Sequence, residues 1–223
     1  MEVLVVGNTA YVDDDFCAKA FPGDHVKVVA AQDARRDESS PHASWKELLQ
    51  HLDQAYEFER VVYLSTYLTP HTETFGDIEL LRSVFRACTG RNVQLLYIAG
   101  PAGAEGANHD DDAAAASVTQ TGKGIIARAA NDLCRHYAAR DGIQAKVLRV
   151  PYLYTASPAV TDPFLVPLFE ACSGGSVALQ GAADAPFPLL CAEELAVLVH
   201  RIFDSWDANF EMLDVADAFC HTA

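Results

Sequence analysis

The chain has 223 residues, of which 50% are hydrophobic and 21% are charged, and this balance excludes a disordered or fibrous protein and fits one large domain. The formal net charge of −15 makes nucleic acid an unfavourable partner, because an acidic surface repels phosphate backbones. Every apolar run is far shorter than the ~20 residues of a membrane-spanning helix. The first residues lack the basic segment of a signal peptide, so we expect a cytoplasmic protein that does not associate with membranes.

The residue types that commonly bind metals show no metal-binding pattern. The six cysteines form no CxxC pair and mostly lie in apolar stretches, which predicts buried, reduced thiols. The eight histidines form no closely spaced helical pair, so no metal is expected. The acidic run at residues 109–112 is interpreted as a solvated loop, with a metal site as the less favoured alternative.

Short β-branched runs alternate with longer helical patterns through the first 150 residues. The predicted strands cover residues 2–6, 25–31, 60–65, 93–98 and 145–150. The predicted helices cover residues 15–21, 44–56, 77–88 and 123–140. This order predicts an α/β fold in which a doubly wound parallel sheet carries helices on both faces.

The pattern loosens after residue 150. Two more helices are predicted at 163–172 and 193–206, and two more strands at 177–179 and 210–215. We therefore divide the chain into a main domain at 1–150 and a small C-terminal lobe at 151–223 that is integrated with it. Ligands of such sheets bind beyond the carboxyl ends of the strands. The loops of interest are accordingly residues 7–12, 31–36, 65–70, 99–122 and 151–161.

Ordered motifs in the second half of the chain resemble one known family. A Leu-Cys-x-x-Tyr pattern at 133–137 is followed by a strand with the pattern Leu-Arg-x-Pro-x-x-Tyr at 148–154, and further landmarks follow at 162–164, 175–181 and 193–196. In this order they resemble the extended short-chain dehydrogenase/reductase family, the group of NAD-dependent epimerases and dehydratases.

The resemblance carries expectations about fold, cofactor and partners. It implies a Rossmann-like domain, NAD or NADP as the cofactor, and a homodimer or heterodimer that forms through helices 77–88 and 123–140. The chain stops soon after 210–215, where members of the family continue into a substrate lobe, so we expect a truncated remnant of that lobe.

The loop after the first strand departs from the family pattern. Three glycines normally allow the turn, the approach of the pyrophosphate and the packing of helix on strand. Only Gly7 is present, and Ala10 and Asp13 occupy the other two positions. Carboxylates at 13–15 suit a helix N-terminus but repel a pyrophosphate, by about 4 kcal/mol per charge pair at ~4 Å. The sequence therefore predicts impaired binding of NAD or NADP.

The resemblance still defines positions that would line a cofactor site. In the first loop they are Gly7, Asn8, Thr9, Ala10 and Tyr11. At the ends of later strands they are Gln32, Asp33, Ser65, Thr66, Ala99, Lys123 and Pro151. An acid such as Asp33 suits a ribose and the neighbouring arginines suit a 2′-phosphate, so NAD and NADP remain equal alternatives.

The catalytic positions are also altered. The family uses a Tyr and a Lys four residues apart on one helix, together with a Ser or Thr after the fourth strand. In one alignment Lys123 takes the Tyr position and Ala127 the Lys position; in the other, shifted by one helical turn, Thr119 and Lys123 take them. The hydroxyl position falls on Ala99. Thr119, Lys123 and Tyr97 are the remaining catalytic candidates.

Two hypotheses follow from these departures. In the first, the chain is a catalytically degenerate epimerase/dehydratase-like protein, a pseudoenzyme that serves as a binding, regulatory or scaffolding subunit. In the second, it is an active NAD(P)-dependent nucleotide-sugar epimerase, dehydratase or reductase with atypical active-site residues. The fold supports the second only by analogy.

Overall fold

The computed structural model of the chain describes residues 1–7, 11–30, 58–65, 75–100, 122–155, 186–187, 189–215 and 221–222. The helices predicted at 44–56 and 163–172 and the strand predicted at 177–179 lie outside these ranges.

The strands build one main sheet and two small ribbons. In chain order they are β1 (Glu2–Gly7), β2 (His25–Ala30), β3 (Arg60–Leu64), β4 (Gln94–Ala99), β5 (Gln144–Arg149), β6 (Tyr152–Tyr154), β7 (Pro186–Phe187), β8 (Leu189–Cys191), β9 (Phe210–Asp214) and β10 (His221–Thr222). The main sheet has the order β2-β1-β3-β4-β5-β9, and all of its neighbouring pairs are parallel. The ribbons are β6 with β8, parallel, and β7 with β10, antiparallel.

Helices cover both faces of the main sheet. They are α1 (Asp14–Ala20), α2 (Phe75–Cys88), α3 (Gly122–Asp141) and α4 (Ala192–Asp204). Helices α2 and α3 pack on one face, and α1 and α4 pack on the other. The prediction of a doubly wound parallel sheet with helices on both faces is confirmed.

The sheet is apolar on both faces because helices cover both of them. On β1, Leu4 and Val6 belong to the cluster under α2 and α3, whereas Val3 and Val5 belong to the cluster under α1 and α4. All four are at most 1% exposed. Successive side chains of a strand point to opposite faces, so an uninterrupted apolar run is what a doubly covered parallel strand requires. Each such side chain contributes about 1.5–3 kcal/mol on burial.

Strand β9 and helix α4 complete the main sheet and its helical cover. Strand β9 pairs with β5, and α4 packs against α1 through residues such as Phe203, whose ring lies 5.9 Å from that of Phe21. The β5–β9 pair is joined by charge as well, because the Lys146 ammonium lies 2.7 Å from Glu211 and 3.1 Å from Asp207. Burial lowers the pKa of Lys146, but hydrogen bonds to these carboxylates outweigh burial and raise it. A domain boundary at residue 150 stays a prediction.

Gly7 ends β1 in a conformation that other residues rarely adopt. Its φ is 112°, and a Cβ atom placed on it would lie 2.0 Å from the carbonyl oxygen of Leu64 on the neighbouring strand β3. The contact is with backbone, so no side chain can move to relieve it. The sheet itself therefore requires glycine here, whether or not a ligand approaches the loop.

We expect Gly7→Ala to lower the free energy of unfolding by ~3 kcal/mol or more, because backbone strain and a backbone clash add together. Gly23→Ala is the matched control: its φ is also positive, at 81°, but a Cβ atom there meets open space. The control should lose about 1–2 kcal/mol. Urea denaturation followed by circular dichroism measures both variants, and equal losses would contradict the role assigned to the Leu64 contact.

Candidate functional site

The carboxyl ends of the central strands meet at one edge of the sheet. Beyond the strands, the Ser65 amide donates to the carbonyl of Ile98 at 2.9 Å, and the Val150 amide donates to the carbonyl of Ala99 at 2.9 Å. These two hydrogen bonds continue the pairing of the strands by one residue at this edge. The structure thereby brings Gly7, Ser65, Ala99 and Pro151, all predicted to line a cofactor site, to this one edge.

The start of α1 carries its own anion. Asp13 is the N-cap residue, and its carboxylate accepts a hydrogen bond from the Phe16 amide at 2.8 Å. The predicted capping role of this acidic run is confirmed. Asp14 and Asp15 follow in the first turn of the helix and are exposed. A nucleotide pyrophosphate would use amides at this position, and it would meet three carboxylates beside them.

Tyr11 lies two residues before the N-cap of this helix and is buried. Its side chain is 8% exposed and belongs to the hydrophobic cluster under α1 and α4, together with Phe16. This predicted cofactor-site residue therefore serves as packing for the first loop.

A buried polar cluster lies beneath the same edge, on the side of α2. The carboxylate of Asp77 accepts a hydrogen bond from the Tyr63 hydroxyl at 2.6 Å and one from the Ser65 hydroxyl at 3.1 Å. Ser65 is 0% exposed and Asp77 is 3% exposed. The first turn of α2 adds the favourable field of a helix N-terminus to the carboxylate. The Ser65 hydroxyl is thus hydrogen-bonded to a residue of α2.

The sequence analysis did not single out Asp77. A signal was present, because Asp77 precedes Leu81 by four residues and so continues the buried stripe formed by Leu81, Val84 and Phe85. A carboxylate on a buried helical stripe implies hydrogen-bond donors opposite it. Its donors belong to a different element, so the sequence alone does not identify them.

Of the catalytic candidates, only Tyr97 has its side chain among the described residues. Tyr97 lies within β4, is 0% exposed, and packs its ring 5.7 Å from that of Tyr63 under α2 and α3. Lys123 lies in the first turn of α3, and its side chain is outside the described residues. Outside the described residues altogether are Thr119 and the predicted cofactor contacts Asn8, Thr9, Ala10, Gln32, Asp33 and Thr66.

A second group with ionisable side chains lies where β6 and β8 end. The Cys191 thiol donates to the Glu193 carboxylate, and Tyr154 is its neighbour across the ribbon. Electrostatic interaction with Cys191, followed by partial burial, raises the pKa of the Tyr154 phenol. Burial, together with the bond to Glu193, raises the pKa of the Cys191 thiol. Both groups are therefore weaker acids than usual near neutral pH.

Among the described residues, no group of three or more His, Cys, Asp or Glu side chains could hold a metal ion. No helix among them is both long enough and apolar enough to cross a membrane.

Comparison with known proteins gives matches in structure only. No family model and no curated protein sequence matches the chain. Among solved structures, dTDP-glucose 4,6-dehydratase from Bacillus anthracis in complex with NAD superposes with a TM-score of 0.72 at 11% identity, over 100% of this chain and 77% of that one. UDP-glucuronic acid 4-epimerase from Bacillus cereus, in complex with UDP-glucuronic acid and NAD, gives 0.71 at 12% identity, over 100% and 79%. The enzyme WbmF of Bordetella bronchiseptica, in complex with NAD⁺ and UDP, gives 0.69 at 13% identity, over 99% and 73%.

These matches establish the fold. The chain has the Rossmann-like fold of the NAD-dependent epimerases and dehydratases, as the ordered motifs at 133–137 and 148–154 predict. At 11–13% identity the likeness shows the fold, whereas activity depends on the site.

We expect Asp77→Ala to lower the free energy of unfolding by about 2–4 kcal/mol, because it removes the acceptor of two buried hydroxyls. Asp77→Asn keeps one carbonyl acceptor and should lose less. Glu79→Ala, an exposed acid in the same helix turn, is the control and should change stability by less than ~0.5 kcal/mol. Urea denaturation provides the comparison, and an Asp77→Ala variant as stable as the Glu79→Ala variant would refute the role of the cluster.

The buried thiols should resist alkylation in the folded protein. Burial raises the pKa of Cys88 to about 12 and also raises the pKa of the fully buried Cys134. At pH 8 the thiolate fraction of Cys88 is then ~10⁻⁴, and only the thiolate reacts. Iodoacetamide at pH 8 followed by peptide mass spectrometry should leave both unmodified and label both after denaturation in urea. Labelling of the native protein at either position within minutes would contradict this burial.

Proposed function

We propose that this protein is a catalytically degenerate member of the extended short-chain dehydrogenase/reductase family that works as a binding, regulatory or scaffolding subunit. The observation that carries the proposal is the start of α1, where the Asp13 carboxylate accepts a hydrogen bond from the Phe16 amide at 2.8 Å. In an active relative, this helix start would face the pyrophosphate of the cofactor.

Electrostatics oppose a nucleotide at this helix start. Asp13, Asp14 and Asp15 are all exposed, and the one ion pair they form among the described residues, Asp15 with Lys19 at 3.6 Å, is itself exposed and weak. A pyrophosphate adds further negative charge. A cost of about 4 kcal/mol per close charge pair equals a loss of roughly 10³-fold in affinity, which is enough to remove micromolar binding.

The side chains at the described edge support the same proposal. Ala99 supplies no hydroxyl at the end of β4, and the Ser65 hydroxyl is bonded to Asp77. Tyr97 is buried in the packing of the sheet against α2 and α3. A proton relay needs a phenol that loses its proton readily, whereas the interaction with Cys191 raises the pKa of the Tyr154 phenol.

A non-catalytic role requires a partner, and we propose that this partner binds to helices α2 and α3. The two pack side by side, with the Phe85 and Tyr137 rings stacked at 4.7 Å. This contact makes one continuous helical layer whose outer side faces solvent. A homodimer or a heterodimer with an active relative would use this layer.

Thermal unfolding with cofactors tests the proposal. We expect the melting temperature to change by less than ~1 °C with NAD⁺, NADH, NADP⁺ or NADPH at millimolar concentration. A ligand present at about 100 times its Kd would instead stabilise the fold by about 2.7 kcal/mol. The dehydratase of Bacillus anthracis, whose structure contains NAD, serves as the positive control. A saturable shift with any of the four nucleotides in this protein would overturn the proposal and favour an active enzyme with atypical residues.

A further inference from the structure

The two segments that contain α2 and α3 differ in charge from the rest of the chain. Residues 75–91 and 122–141 carry seven Lys and Arg against four Asp and Glu, a net charge of +3. The remaining residues carry nine basic and 27 acidic side chains, a net charge of −18. A strongly acidic protein thus concentrates positive charge on one pair of helices.

The arginines of this layer are available for a partner. Arg82 and Arg86 of α2 and Arg128 and Arg135 of α3 are exposed. None of the four forms an ion pair within the described ranges, although Arg135 lies 5.5 Å above the Phe210 ring. By contrast, the cations of the sheet, such as Lys146 and Arg149, are each paired with a carboxylate.

The layer also has features of a protein interface. Ile125 of α3 is 52% exposed and lies on the exposed side of the helix that includes Arg128 and Asp132. Arginine is enriched where proteins meet, and an exposed apolar side chain adds surface that binding can remove from water. Nucleic acid fits less well, because Glu79 and Asp132 interrupt the basic surface and the other parts of the molecule repel phosphate.

We infer that the outer face of α2 and α3 binds a different protein, one that presents a carboxylate-rich surface. A two-fold dimer places the same patch of both subunits in contact, so this chain would meet its own net positive charge. An acidic partner supplies carboxylates to these four arginines, which form no ion pair within the described ranges, and its charge accelerates association. The inference deepens the proposed function, on which it rests, by assigning the chemistry of the partner.

The test uses a labelled poly-L-glutamate peptide of about 20 residues as the acidic probe, with binding measured by fluorescence anisotropy in low salt. The face variant is Arg86→Glu with Arg128→Glu. The control is Lys19→Glu with Arg201→Glu, which makes the same change in net charge on exposed positions of α1 and α4. We expect a loss of ~10-fold or more in affinity for the face variant and less than ~2-fold for the control, with binding of the parent protein weakened by salt.

Several results would overturn the inference. These are no binding of the peptide by the parent protein, equal losses in the two variants, tighter binding of a thymidine 20-mer than of the peptide, or a symmetric dimer in sedimentation that the face variant abolishes. If charge reversal lowers the melting temperature, Arg86→Gln with Arg128→Gln replaces it, and an unchanged affinity in that variant also counts against the inference. Nucleotide titration addresses the helix start at Asp13, so failure of the proposed function is distinguishable from failure at this face.

Discussion

The contact between Gly7 and the Leu64 carbonyl sets the geometry from which the candidate site is built. With a φ of 112° and no Cβ atom, Gly7 lets β1 end against the backbone of β3. Ser65 follows directly after Leu64, at the same edge of the sheet. The packing of β1 against β3 therefore requires glycine at this position. For that reason, the presence of Gly7 is not evidence that a nucleotide binds. The two other positions, where only a cofactor and the packing of α1 demand glycine, hold Ala10 and Asp13.

The same scaffold supports a different set of interactions at its functional edge. Three enzymes with this fold are in complex with NAD, and ligands of such sheets bind beyond the carboxyl ends of the strands. Here, among the described residues, hydrogen bonds within the protein satisfy polar groups at that edge: Asp13 caps α1, and Asp77 binds Tyr63 and Ser65. Such internal bonds stabilise the fold and reduce the polar groups that remain for a ligand.

Local sequence patterns predicted the helices and strands, but they did not predict contacts between residues that are far apart in the sequence. The strand at Glu2–Gly7, the helix at Gly122–Asp141 and the cap at Asp13 each follow from neighbouring residues, so periodicity and capping rules identify them. The partners of Asp77 depend on how α2 lies against β3, and Lys146 meets Asp207 across 61 positions of sequence. No local pattern encodes either contact. The placement of Tyr97 shows the same limit, because its distance from the end of β4 was predictable but its direction into the core was not.

The alternation of side chains along the central strands separates the molecule into two hydrophobic compartments. One, under α2 and α3, includes Leu4 and Tyr63; the other, under α1 and α4, includes Val5 and Leu64. Substitutions in separate compartments share no packing partners, so their energetic effects combine additively. A lineage can therefore remodel the half under α2 and α3 while the half under α1 and α4 stays unchanged. The chain keeps the fold of the three solved enzymes at only 11–13% sequence identity. Independent change in the two compartments is consistent with that divergence.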